Sequence, residues 1–87
     1  MNSRLKTPWI KVTSVSPKEN FRLELKWEDG KQSQVSLQSQ IEKRDILWRL
    51  RNPRYFKQAA VDPLGGVFWP QGEDFSANYL KLHSERP

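Results

Sequence analysis

Phe21-Arg-Leu-Glu-Leu-Lys-Trp-Glu-Asp-Gly-Lys-Gln-Ser-Gln-Val-Ser-Leu37 decides the fold of this 87-residue chain. Phe21, Leu23, Leu25 and Trp27 alternate with Arg22, Glu24 and Lys26. That period of two describes a strand with one buried and one wet face. Glu28-Asp-Gly30 then closes a hairpin, and two loop lengths compete. A two-residue Asp-Gly turn pairs Glu28 with Lys31 and sets Val35 opposite Glu24, on the wet face. A three-residue loop with Gly30 left-handed pairs Trp27 with Lys31. It sets Val35 opposite Leu23 and Leu37 opposite Phe21. A slip of one residue inverts every side chain, so the apolar pattern selects the three-residue loop with a G1 bulge, and positive φ at Gly30.

Upstream, Trp9 to Val15 reads as a strand with Ile10 and Val12 on one face. The break at Thr13-Ser14 predicts a bulge or an early strand end. Ser16-Pro-Lys-Glu-Asn20 reads as a turn. Downstream, Gln38 to Lys43 suits one helical turn, and Asp45 suits the N-cap of a helix over Ile46 to Arg51. Asn52 repeats the cap signal, with Pro53 in the first helical position and Arg54-Tyr-Phe56 following. Gln58 to Val61 and Val67 to Trp69 read as strands around the Asp62–Gly66 turn. Pro70-Gln-Gly72 is another turn, and Ser76 caps a last helix from Ala77 to about His83. Gly30, Gly65, Gly66 and Gly72 are structural turn residues, the Gly65-Gly66 pair needing unusual φ. The element order is β-β-β-α-α-β-β-α. No crossover is long enough for a parallel βαβ unit, so the class is α+β with an antiparallel sheet built from hairpins.

Bulk properties narrow the function. Residues 9–83 are expected to form one domain between flexible termini at 1–8 and 84–87. There is no cysteine, hence no disulfide and no thiolate ligand or nucleophile, and a reducing cytoplasm is the expected location. The first eight residues hold no apolar signal core, and no apolar run nears the roughly 18–20 residues of a membrane span. Hydrophobic residues make up only 36%, yet four Trp, four Phe and two Tyr are present. Each buried ring removes roughly 150–250 Å² from water, so ten can supply most of a small core. The net charge of +5 favours anionic partners.

Enzymatic machinery is not visible. His83 is the single histidine, too few for a zinc site or a Ser/His/Asp triad. Asp62, Glu73 and Asp74 could form a carboxylate-only cation site, against the plainer reading that they bond turn amides or a nearby arginine. Gly65-Gly66 lacks the Lys-Ser/Thr of a phosphate loop. No catalytic residue, metal or cofactor is expected. The best constellation lies between residues 43 and 57, where Lys43, Arg44, Arg49, Arg51, Arg54 and Lys57 stand against Asp45 alone, with Trp48 and Tyr55 interleaved. Arginine forks suit carboxylate and phosphate equally, so an acidic protein face and nucleic acid are both candidates. The bland alternative is a solvated basic face with Trp48 and Phe56 in the core. Trp69-Pro70 suits an edge strand that docks a partner or a second copy. Against that stands Trp69 as core filler under the last helix with Leu80 and Leu82.

Several blocks together resemble a family of small bacterial proteins classed as a domain of unknown function. They are Val15-Ser-Pro17, Asp29-Gly30, Leu50-Arg-Asn-Pro53, Phe56, Val61-Asp-Pro-Leu-Gly-Gly66 and Trp69-Pro-Gln-Gly-Glu-Asp74, spanning about residues 10–82. Gln71, where Asn is commoner, and Ser76-Ala-Asn, where a proline-containing helix start is common, depart mildly. The resemblance implies the same small α+β fold and the partner half of a toxin–antitoxin-type gene pair, with no activity to transfer. The expected function is therefore a non-enzymatic protein-interaction module that binds a toxin-like neighbour or itself. Nucleic-acid binding through Arg44, Arg49, Arg51, Arg54 and Lys57 is the first alternative. A small-molecule or metal-dependent enzyme is the second.

Overall fold

The hairpin forms in the predicted register. In the computed structural model, which describes residues 10–84, Leu23 faces Val35 and the Leu37 amide donates to the Phe21 carbonyl at 2.9 Å. Strands β2 (Arg22–Trp27) and β3 (Gln32–Ser36) are joined by a loop in which Gly30 takes φ 88°. Trp27 N–H donates to the Lys31 carbonyl, and Gly30 N–H to the Trp27 carbonyl, both at 2.9 Å. The same bond pair recurs twice. Asp62 and Gly66 close a loop whose third residue, Gly65, has φ 97°. Trp69 and Glu73 close another whose third residue, Gly72, has φ 108°. Three hairpins thus use one turn, each with glycine where a side chain would be strained. Gly66 departs from the expectation, because its φ is not positive. It is needed for space, since a Cβ there would lie 2.3 Å from the Phe75 carbonyl oxygen.

Strand β1 runs Val12–Lys18, antiparallel to β2, with the predicted bulge between Val12 and Ser14. The expected start at Trp9 lies outside the described residues, as do the expected termini at 1–8 and 84–87 apart from Ser84. The expected turn at Ser16–Asn20 is corrected: Ser16, Pro17 and Lys18 remain in the strand. Pro17 is tolerated because its missing N–H falls on the outer edge, where no ladder bond is due. The chain reverses instead over Glu19–Phe21, with Asn20 at φ 60° and Phe21 at φ 57°. Positive φ is unusual for a bulky residue. It is offset here by the Leu37 bond and by the Phe21 ring, edge-on to Phe56 at 5.4 Å.

Helix α1 (Gln38–Lys43) leads into a 3₁₀ segment, Asp45–Arg51, and then α2 (Pro53–Phe56). Asp45 does not act as the expected N-cap, since its side chain caps nothing and instead lies 3.7 Å from Arg51. Seven residues between extended Arg44 and the Asn52-Pro53 boundary wind tightly as 3₁₀ rather than as an α-helix. Asn52 does cap α2, accepting from Arg54 N–H at 2.9 Å, and Ser76 caps α3 (Ala77–His83), accepting from Tyr79 N–H at 3.1 Å.

Strands β4 (Ala60–Val61), β5 (Val67–Phe68) and β6 (Asp74–Phe75) form a second antiparallel sheet in that order. Val12 N–H donates to the Gly65 carbonyl at 2.9 Å and ties the two sheets. Because β5 is central, the edge-strand reading of Trp69-Pro70 is overturned: the Trp69 N–H is taken up by the Glu73 carbonyl and Pro70 sits in the turn between them. Trp69 fills the core, its ring 5.7 Å from Phe56 and 6.0 Å from Phe75, and its indole N–H donates to the Phe56 carbonyl at 2.9 Å. Leu80 packs with it, whereas Leu82, expected alongside, is 73% exposed. No helix among the described residues is long and apolar enough to cross a membrane.

Candidate functional site

The 3₁₀ segment turns Leu47 and Leu50 into the core and leaves Ile46 and Trp48 outside, 72% and 57% exposed. The alternative that puts both Trp48 and Phe56 in the core is corrected for Trp48, which is a surface residue, while Phe56 is buried. The Arg49 guanidinium lies 4.9 Å from the centre of the Trp48 ring, a cation–π distance. The same guanidinium reaches Glu73 at 3.2 Å. Glu73 also accepts the Tyr55 hydroxyl at 2.5 Å, and that hydroxyl accepts the Gln71 amide at 2.8 Å. The 3₁₀ segment, α2 and the 71–73 loop are thereby locked together. Beside this lock lies an open groove of about 510 Å³. Arg44, Ile46 and Arg49 line it from the 3₁₀ side, and Gln71, Asp74 and Tyr79 from the other.

Glu73 is 8% exposed. Burial alone raises a carboxyl group, but bonds from Tyr55, its own backbone amide and Arg49 together outweigh it and hold Glu73 below its ordinary value of 4.5. Burial first, then the bond to Glu73, raises the Tyr55 hydroxyl above its ordinary 10.0. A depressed carboxyl stabilises the fold above its unfolded pKa, and that stability drains as pH falls through the folded value. Tyr55 acts oppositely, its contribution being lost as pH rises through its raised value. The acid limb of a stability–pH curve is therefore expected to flatten below about pH 4.5 in Glu73→Gln. At pH 7 the same substitution should cost about 1–3 kcal/mol, read by urea unfolding at several pH values.

The basic segment does not form one stripe. Arg51 points back, donating to the Ile41 carbonyl at 3.1 Å and the Glu42 carbonyl at 3.4 Å, so it secures the end of α1. Arg49 and Tyr55 belong to the lock, and Arg44 and Arg49 to the groove. Lys57 lines a separate hollow of about 670 Å³ with Pro17, Phe21 and Pro53, and the Arg54 side chain is exposed on α2. Asp62 accepts its own turn amide from Leu64, and among the described residues no three His, Cys, Asp or Glu side chains gather to hold a metal. His83 stacks on Tyr79 at 4.3 Å. Glu73 as the organiser of the site was missed. The signal was present: the logic that pairs Trp27 with Lys31 also pairs Trp69 with Glu73, which puts an acid opposite a buried tryptophan and demands a basic partner.

A family model described as "Protein of unknown function (DUF2442)" matches residues 12–85. No curated protein and no solved structure matches the chain.

Proposed function

Since the chain belongs to DUF2442, a family of proteins of unknown function, we propose from its geometry that it is a non-enzymatic module that docks a protein partner. The observation that carries this is the pairing of exposed Ile46 and Trp48 with Arg44 and Arg49 on a segment anchored from below by Leu47 and Leu50. Tryptophan and arginine are the residues that most often dominate interfaces, and a rigid base lowers the ordering cost of binding. The partner surface that fits is an acidic one carrying an apolar side chain to cover Trp48. In the toxin–antitoxin-type setting that the resemblance implies, this chain would be the neutralising member. The phosphate-binding alternative is weakened because its five cations do not share one face: Arg51 donates to the Ile41 and Glu42 carbonyls, and Lys57 lines a separate hollow. Binding rather than catalysis is also favoured by Glu73, the buried acid at the groove, whose oxygens are occupied by Tyr55 and Arg49.

The test is capture of the tagged chain from its native cells, with and without nuclease, beside Trp48→Ala. A stoichiometric protein that survives nuclease is expected, held at least about tenfold more weakly by Trp48→Ala with unfolding unchanged. Nucleic acid in place of a protein, lost on nuclease treatment, would replace this reading with phosphate binding.

A further inference from the structure

The three-stranded sheet has two edges, and they are finished differently. On β1, Pro17 removes a donor, a bulge sits between Val12 and Ser14, and Val12 is bonded to Gly65 in the turn between β4 and β5. These are the ordinary devices that stop a strand from pairing further. The β3 edge carries none of them. Its register against β2 runs unbroken from Arg22–Ser36 to Lys26–Gln32, and residues 32–37 hold no proline and no charge in a chain that is 29% charged. No other strand among the described residues pairs with it.

Bond parity says which groups are free to pair. Trp27 bonds to Lys31 and Leu37 to Phe21. In an antiparallel ladder such pairs alternate, so Gln32, Gln34 and Ser36 aim their N–H and C=O groups away from β2. We propose that this edge pairs with the same edge of a second copy, antiparallel about a twofold axis at Gln34, joining two three-stranded sheets into one of six strands.

In that register Gln34 meets Gln34 of the second copy and Gln32 meets Ser36. Each pair exchanges two backbone bonds, and no like charges are opposed. Edge neutrality selects a second copy over an acidic peptide, for which residues 32–37 offer no counter-charge. A five-residue ladder buries well under the roughly 1,200–2,000 Å² of a stable interface, so association is weak and concentration-dependent. The net charge of +5 on each copy opposes it, so salt tightens it. Docking of an acidic partner at Trp48 responds oppositely, which keeps the two readings separable.

Light scattering on the purified chain at about 10 µM and 1 mM, each with and without about 0.5 M salt, tests the edge. The expected mass rises toward twice the monomer at the higher concentration, more so in salt. Gln34→Lys and Gln34→Glu each oppose like charges across the axis and should raise the dissociation constant about fivefold, whereas their equal mixture should regain the wild-type mass. A wild-type chain that stays monomeric at about 1 mM in salt overturns the proposal. So does a dimer that both variants leave intact, or a mixture that restores nothing.

Discussion

Trp69→Ala is expected to remove about 3–5 kcal/mol of folding stability, the largest loss of any single core truncation in this chain. The ring is 1% exposed and sits in the middle of a run of aromatic contacts from Phe21 through Phe56, Trp69 and Phe75 to Tyr79. That run joins the reversal between β1 and β2, α2, the second sheet and α3. Truncation leaves a void that backbone on several sides cannot fill, and it deletes the indole bond to the Phe56 carbonyl. A domain of this size has only about 5–15 kcal/mol in total, so the loss removes a large share of its stability. Urea unfolding reads this as a lowered midpoint at unchanged slope. Trp48→Ala supplies the contrast: as a surface change it should stay within about 0.5 kcal/mol. Equal losses at the two tryptophans would mean that the aromatic run is not what holds the elements together.

That contrast marks how far the sequence could be read. The first hairpin was legible to the residue, because strict alternation and a glycine turn leave one register that buries Leu23, Leu25 and Val35 together. The caps Asn52 and Ser76 were legible for a similar reason, their chemistry being local. What failed depended on neighbours. Pro17 looks like a strand breaker until β1 is known to be an edge with that position facing out. Pro70 looks like an edge marker until β5 is found between β4 and β6. Trp48 and Trp69 are the same residue type, and only the 3₁₀ twist of Asp45–Arg51 puts the first outside. The arginines read as one basic stretch because spacing does not reveal that Arg51 folds back onto α1 or that Arg49 answers Glu73.

Gly66→Ala is expected to be the most damaging of the glycine substitutions, for a reason distinct from backbone freedom. A Cβ at Gly66 would lie 2.3 Å from the Phe75 carbonyl oxygen, 3.1 Å from the Ser76 Cα and 3.2 Å from the Ala77 nitrogen. All three are backbone, so relief requires β5 to move away from the strand-to-helix junction at 75–77. Overpacking of this kind costs about 1–3 kcal/mol, and more where the obstacle is not a side chain. At Gly30 a methyl group meets open space, so Gly30→Ala carries only the strain of φ 88°, about 1 kcal/mol. Gly65→Ala falls between them, combining φ 97° with the Lys11 Cγ and Cβ at 2.6 and 2.7 Å and its backbone Cα at 3.0 Å, none as near as the Phe75 carbonyl is to Gly66. Thermal unfolding should rank them Gly66, Gly65, Gly30, each kcal/mol shifting the midpoint by roughly 4–8 °C. Phe75 and Ser76 also line the groove beside Arg44 and Ile46. The fraction of Gly66→Ala that remains folded should therefore bind a partner more weakly than wild type, whereas Gly30→Ala, at a residue that does not line the groove, should bind normally. Full binding by folded Gly66→Ala would show that the partner engages Trp48 and Ile46 without using the opposite wall.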